Sequence, residues 1–138
     1  QKSVRGLDKL HILDYQPRHL MPAILAYSDL QYIFMTPEQD GMGFPSKVYT
    51  IMACARPLLV CSGYNTPIVN FLKPVGCAKL VTNHNLEQKT DEMAKWLSTI
   101  TREQLRDMGA KGEAVIKQSY TKEKVTKLYV ELVNSILE

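Results

Sequence analysis

The sequence predicts an α/β domain, a Rossmann-like parallel sheet flanked by helices. Three observations carry that prediction. Short apolar runs recur along the chain, at Lys9–Leu13 (KLHIL), Leu30–Met35 (LQYIFM), Pro57–Cys61 (PLLVC) and Cys77–Val81 (CAKLV). Stretches with helical length and spacing alternate with them, and strands separated by helices imply βαβ units with right-handed crossovers. The composition is that of a globular domain, with 45% hydrophobic and 22% charged residues. At 138 residues the chain is one domain by length, large enough to bury a core.

Each element has its own cues. Lys9–Leu13 reads as a first strand, punctuated by Pro17. Arg18–Ser28 is helical in spacing, with Pro22 in the first turn, where a missing N–H is tolerated. Leu30–Met35 is the second strand, and a Gly-, Pro- and acid-rich loop, Thr36–Pro45, follows it. Ser46 is placed to cap a helix over Lys47–Ala55. Pro57–Cys61 is apolar throughout, as in strands buried on both faces. Gly63 and Asn65 mark a turn, Thr66 caps a short helix Pro67–Leu72, and Cys77–Val81 is the fourth strand. The rest is helical. One helix runs from Asn85 or Leu86 to Ile100. A second starts at Thr101, with Glu103 and Gln104 near the capping-box position, and runs to about Gln118. The third is Thr121–Leu137. That last helix is amphipathic, with Val125, Leu128, Tyr129, Leu132, Val133 and Ile136 on one stripe. Four strands are few for such a sheet, so one or two are expected ahead of Gln1.

Composition narrows the function. A net charge of +3 tolerates an anionic ligand or membrane surface without demanding nucleic acid. The three cysteines, Cys54, Cys61 and Cys77, lie in apolar surroundings without a CxxC pair, and read as small buried thiols in a reducing cytoplasm. No segment has the length of a membrane span. No Ser/His/Asp order, metal-ligand cluster or nucleophile elbow is present. His11 and His19 read as structural or surface groups, His84 as a surface turn, and Tyr27, Tyr32, Tyr49 and the methionines as core.

Ligands of open parallel sheets bind beyond the carboxyl ends of the strands. Three loops fall there, Asp14–Arg18, Thr36–Ser46 and Ser62–Thr66. The middle one, TPEQDGMGFPSK, sets two glycines and a proline before a helix N-terminus, where N–H groups and the helix dipole favour an anion. Lys47 puts a cation in a first turn that ordinarily prefers acids, a local conflict that an anionic ligand would resolve. A plain connection with Ser46 as cap and Lys47 solvated explains the spacing equally well. Glu38 and Asp40 are available for sugar hydroxyls or as a base, though such residues are more often solvated turn formers.

The ordered stretches HILDYQP, LAYSDLQYIF, GMGFPSKVYTIMACARPLLV and PVGCAKLV together resemble the C-terminal domain of GT-B, family-four retaining glycosyltransferases of bacterial polysaccharide and glycolipid assembly. The likeness runs from about Leu10 to the chain end. The small-residue-Asp step falls at Tyr27-Ser28-Asp29. The Ala-x-Gly-x-Pro helix end falls at Ala53–Pro57, with Ala55 in place of the usual Gly.

The resemblance implies a nucleotide-diphospho-sugar as substrate, with no cofactor or metal. Gly43, Phe44, Ser46 and Lys47 would hold the donor diphosphate. Glu38, Asp40, Met42 and Thr50 would lie by the donor sugar and ribose, and Leu13, Asp14 and Tyr15 by the nucleobase. Two positions depart from the pattern, for Met42 and Thr50 stand where the family carries its Glu pair. Those two roles do not carry over as written, although the Thr50 hydroxyl can still serve the ribose weakly.

Further implied partners are an N-terminal acceptor domain of the same parent chain and a lipid-linked acceptor at the inner membrane face, in a cytoplasmic or peripheral protein that binds no nucleic acid. In that setting the 121–138 helix crosses back to the acceptor domain; packing on its own sheet is the equal alternative. Two other functions compete, a non-catalytic nucleotide-sugar or partner-binding domain and a sugar-nucleotide epimerase of the same architecture. A receiver-type signalling domain needs an acidic cluster at early strand ends, and Asp14, Asp29 and Asp40 are not placed for one.

Overall fold

The computed structural model describes residues 9–39, 42–83 and 85–137. It is an α/β structure with a three-stranded parallel sheet flanked by helices, the Rossmann-like arrangement. A 3₁₀ turn, Arg18–Leu20, leads into α1 (Met21–Tyr27), followed by β1 (Gln31–Phe34), α2 (Lys47–Ala53), β2 (Leu58–Cys61), α3 (Pro67–Leu72) and β3 (Ala78–Val81). Three longer helices close the chain, α4 (Leu86–Thr99), α5 (Arg102–Ser119) and α6 (Lys122–Leu137). The sheet order is β1-β2-β3, with Gln31 opposite Leu58 and Leu58 opposite Ala78.

The all-apolar run of β2 fits its central place, since all four residues are buried. One face of the sheet meets α2 and α3 in a core that includes Val48, Ile51, Met52, Leu58, Val60 and Ile68. Leu25 of α1 joins the same core. The opposite face is smaller, with Leu59, Cys61 and Val81 packed against Met93 and Trp96 of α4. Each of the fully buried Ile, Leu and Val side chains contributes about 1.5–3 kcal/mol by leaving water.

Helix ends follow local chemistry. The Asn85 side chain accepts the Gln88 N–H at 3.1 Å. Thr101 and Gln104 form a reciprocal capping box at 3.2 and 2.9 Å. Helix α2 closes differently, with Arg56 N–H donating to the Ile51 carbonyl and Ala55 N–H to that of Met52. This is the Schellman arrangement, which requires a left-handed residue at its second step. Ala55 supplies it with φ 52°.

Helix α5 lies directly on this turn. A Cβ at Gly109 would fall 2.1 Å from the Ala55 carbonyl oxygen, and one at Gly112 would fall 3.2 Å from Cys77 Cβ. Two glycines inside a helix therefore pay for close approach rather than for flexibility.

The structure corrects three expectations and decides between two readings of α6. Lys9–Leu13 is not a strand; it has no regular structure and all five residues are exposed. Strand geometry needs a paired neighbour, and no described strand lies beside it. His11 therefore sits in an exposed irregular segment. Tyr27 is not core, because α1 turns it outward to 94% exposure, and Tyr32 on the sheet edge is half-exposed. Cys54 is only partly buried, whereas Cys61 and Cys77 are fully buried. The stripe of α6 does not pack on its own sheet; no residue of that helix is buried. His84 lies outside the described residues.

Candidate functional site

The 42–47 loop joins the sheet to α2 at the carboxyl end of β1. Its fold comes from three local anchors. The Met42 N–H donates to the Gln39 carbonyl at 3.1 Å, and Gln39 N–H to that of Thr36 at 2.9 Å. The Phe44 ring packs on Tyr49 and Phe71, with centroids 5.3 and 5.2 Å apart. Tyr120, at the end of α5, completes the cluster 5.1 Å from Tyr49. Such aromatic pairs add about 0.5–1.5 kcal/mol each beyond their burial. Sequence reading missed this cluster, since Tyr120 is 71 positions from Tyr49 and nothing local links them.

Lys47 stands between two cavities. One, of about 590 Å³, opens between β1, at the edge of the described sheet, and the loop, lined by residues that include Tyr32, Phe34, Gly43, Phe44 and Lys47. The other, of about 330 Å³, is lined by Arg18, Pro22, Leu25, Ser46, Lys47 and Thr50, together with Met21. Lys47 pairs with no described carboxylate. Ser46 occupies the cap position of α2, but its side chain makes no capping bond. The Val48 and Tyr49 N–H groups turn back onto the Pro45 and Ser46 carbonyls at 3.0 and 3.2 Å. The donors left for an anion are therefore the Ser46 hydroxyl, the first two N–H groups and the Lys47 ammonium. The Phe44 ring packs in the aromatic cluster while the residue also lines the larger cavity.

The remaining predicted positions separate. Met42 lines the larger cavity and is 84% exposed. Thr50 lines the smaller one beside Arg18, a second cation that sequence reading had not singled out. Glu38 is exposed on the loop, and Asp40 lies outside the described residues. Leu13, Asp14 and Tyr15 are exposed, Tyr15 to 92%, and none of the three lines either cavity. The third loop closes on itself, for the buried Ser62 and Thr66 hydroxyls bond at 2.8 Å and Thr66 donates to the Gly63 carbonyl.

Desolvation, then a hydrogen bond with the Cys61 thiol, pushes the Tyr32 phenol up to about 12. At neutral pH it is therefore a neutral hydrogen-bonding group at the cavity wall. Lys89, nearly buried on α4, sets its ammonium 5.8 Å from the Phe34 ring centre, so a third cation, after Lys47 and Arg18, stands near the carboxyl end of β1.

Compared with protein-family models, with curated proteins and with solved structures, the chain matches none.

Proposed function

We propose that this chain is the donor-binding half of a glycosyltransferase, taking a nucleotide-diphospho-sugar for transfer of a hexose-type unit to a polysaccharide or glycolipid acceptor. The observation that carries the reading is Lys47. It is a cation without a described carboxylate partner, placed between two cavities at the carboxyl end of a parallel sheet. A diphosphate there would accept from the Ser46 hydroxyl, the Gly43, Phe44, Ser46 and Lys47 backbone N–H groups and the Lys47 ammonium. When the anomeric C–O bond breaks, the diphosphate leaves with the electron pair, and these fixed donors stabilise the charge it gains. Arg18, across the smaller cavity, adds a second positive group.

The acceptor half would come from sequence outside these 138 residues, with a lipid-linked acceptor at a membrane surface. Among the described residues no helix is long and apolar enough to cross a membrane. The alternative, a domain that binds nucleotide without catalysis, draws support from Met42 and Thr50 at the positions of the family's acidic pair.

Ligand-detected NMR titration with UDP, GDP and ADP tests the proposal. Saturable binding that weakens about tenfold or more in Lys47→Ala is the expected result. Binding that ignores Lys47→Ala would count against the site.

A further inference from the structure

At the other end of the sheet, where β2 begins, lies a partly open cavity of about 230 Å³. Its walls include Arg56, Arg102, Arg106 and Asp29. Three arginines and a single carboxylate thus line one cavity, and no ion pair joins any of the four among the described residues. The Arg56 Nε is buried without a hydrogen-bond partner among the described residues. A buried donor left unmade is costly, and native structures ordinarily give it a partner.

The fold builds this arrangement rather than leaving it to surface chance. Arg102, Arg106 and Gly109 are spaced i, i+4, i+7, so they share one face of α5. Gly109 brings that face against the Ala55 carbonyl. The left-handed Ala55 turns the chain so that Arg56 follows into the same corner. Arg102 also opens α5, where the helix dipole opposes a cation and favours an anion.

We propose that this corner is an oxyanion site for a phosphate group, separate from the Lys47 cleft. Planar guanidiniums recognise phosphate oxygens in pairs, and three of them leave the corner with an uncompensated charge of about +2. The cavity has room for a tetrahedral anion and a few waters, each water occupying about 30 Å³. The phosphate is either free in solution or the headgroup of a lipid.

The test is titration of the 15N-labelled chain with inorganic phosphate at low salt. Phosphatidylcholine vesicles with and without phosphatidic acid form a second arm. Wild type is compared with Arg102→Gln/Arg106→Gln, with Arg56→Gln and with Lys47→Ala. Both exposed arginines can be replaced without touching the core. The expected result is saturable shifts of the Arg56 and Arg102–Arg106 amides, weakened about tenfold or more in the arginine variants and retained in Lys47→Ala. Shifts with free phosphate identify a soluble ligand. Arginine-dependent binding to the phosphatidic acid vesicles alone identifies a lipid headgroup. Saturable binding to neither, or binding lost in Lys47→Ala and kept in the arginine variants, overturns the proposal.

Discussion

Ala55 holds a conformation that costs an L-residue roughly 1–2 kcal/mol, and its φ of 52° is fixed by the turn closing α2. Ala55→Gly removes that strain and adds some unfolded-state entropy. The expected net gain is about 0.5–1 kcal/mol, read by urea unfolding. At Gly109 the sign reverses. A Cβ 2.1 Å from a backbone oxygen must displace α5, so Gly109→Ala is expected to cost about 1–3 kcal/mol.

Cys77 gives a pH dependence. Burial, only partly offset by a backbone hydrogen bond, pushes its thiol up from 9.0 to about 11. Between those values the folded chain keeps a proton that the unfolded chain loses. Stability from this group is therefore complete below about pH 9 and is lost as pH rises toward 11, by roughly 2–3 kcal/mol. Urea midpoints from pH 8 to 11 should fall in wild type, and fall less steeply in Cys77→Ala. Equal slopes would contradict the assignment. Lys47 stands out at this scale, since a cation in a first turn is a local signal; the Ala55 turn does not, for the helical reading runs through Ala55 whereas α2 ends at Ala53. Nor does the arginine corner, because Arg56 meets Arg102 only through tertiary packing. Two glycines three apart inside α5 were the available clue, each costing about 1 kcal/mol against alanine in a helix.

The elements divide along the same line between local and tertiary cause. Helices α4 and α5 could be read from Asn85 and from the Thr101/Gln104 pair, because a cap acts within three residues. Lys9–Leu13 misled, because an apolar run becomes a strand only beside a partner. The outward turn of Tyr27 and the aromatic seating of the 42–47 loop also lie beyond sequence periodicity. Phe44 is the anchor of that loop, so Phe44→Ala should cost about 2 kcal/mol, less than the 3–5 of a fully buried Phe. The apolar stripe of α6 behaves differently. Leu132 is 55% exposed, so Leu132→Gln should move stability by no more than about 0.5 kcal/mol by thermal unfolding. A larger loss would mean that the stripe is packed.

At the scale of the molecule, the sheet carries cationic groups at both ends. Lys47 and Arg18 lie where its strands finish, and Arg56, Arg102 and Arg106 lie where β2 begins. Alternating strand and helix signals made the parallel sheet legible, whereas its three-strand extent follows from which segments find partners. Amide-resolved NMR of the 15N-labelled chain, titrated with UDP, GDP and ADP in turn, tests the central claim most directly. The account predicts saturable shifts at Gly43, Phe44, Ser46 and Lys47 with at least one nucleotide, abolished or strongly weakened in Lys47→Ala. No saturable shift with any of the three, or shifts confined to Arg56 and the first turns of α5, would contradict it.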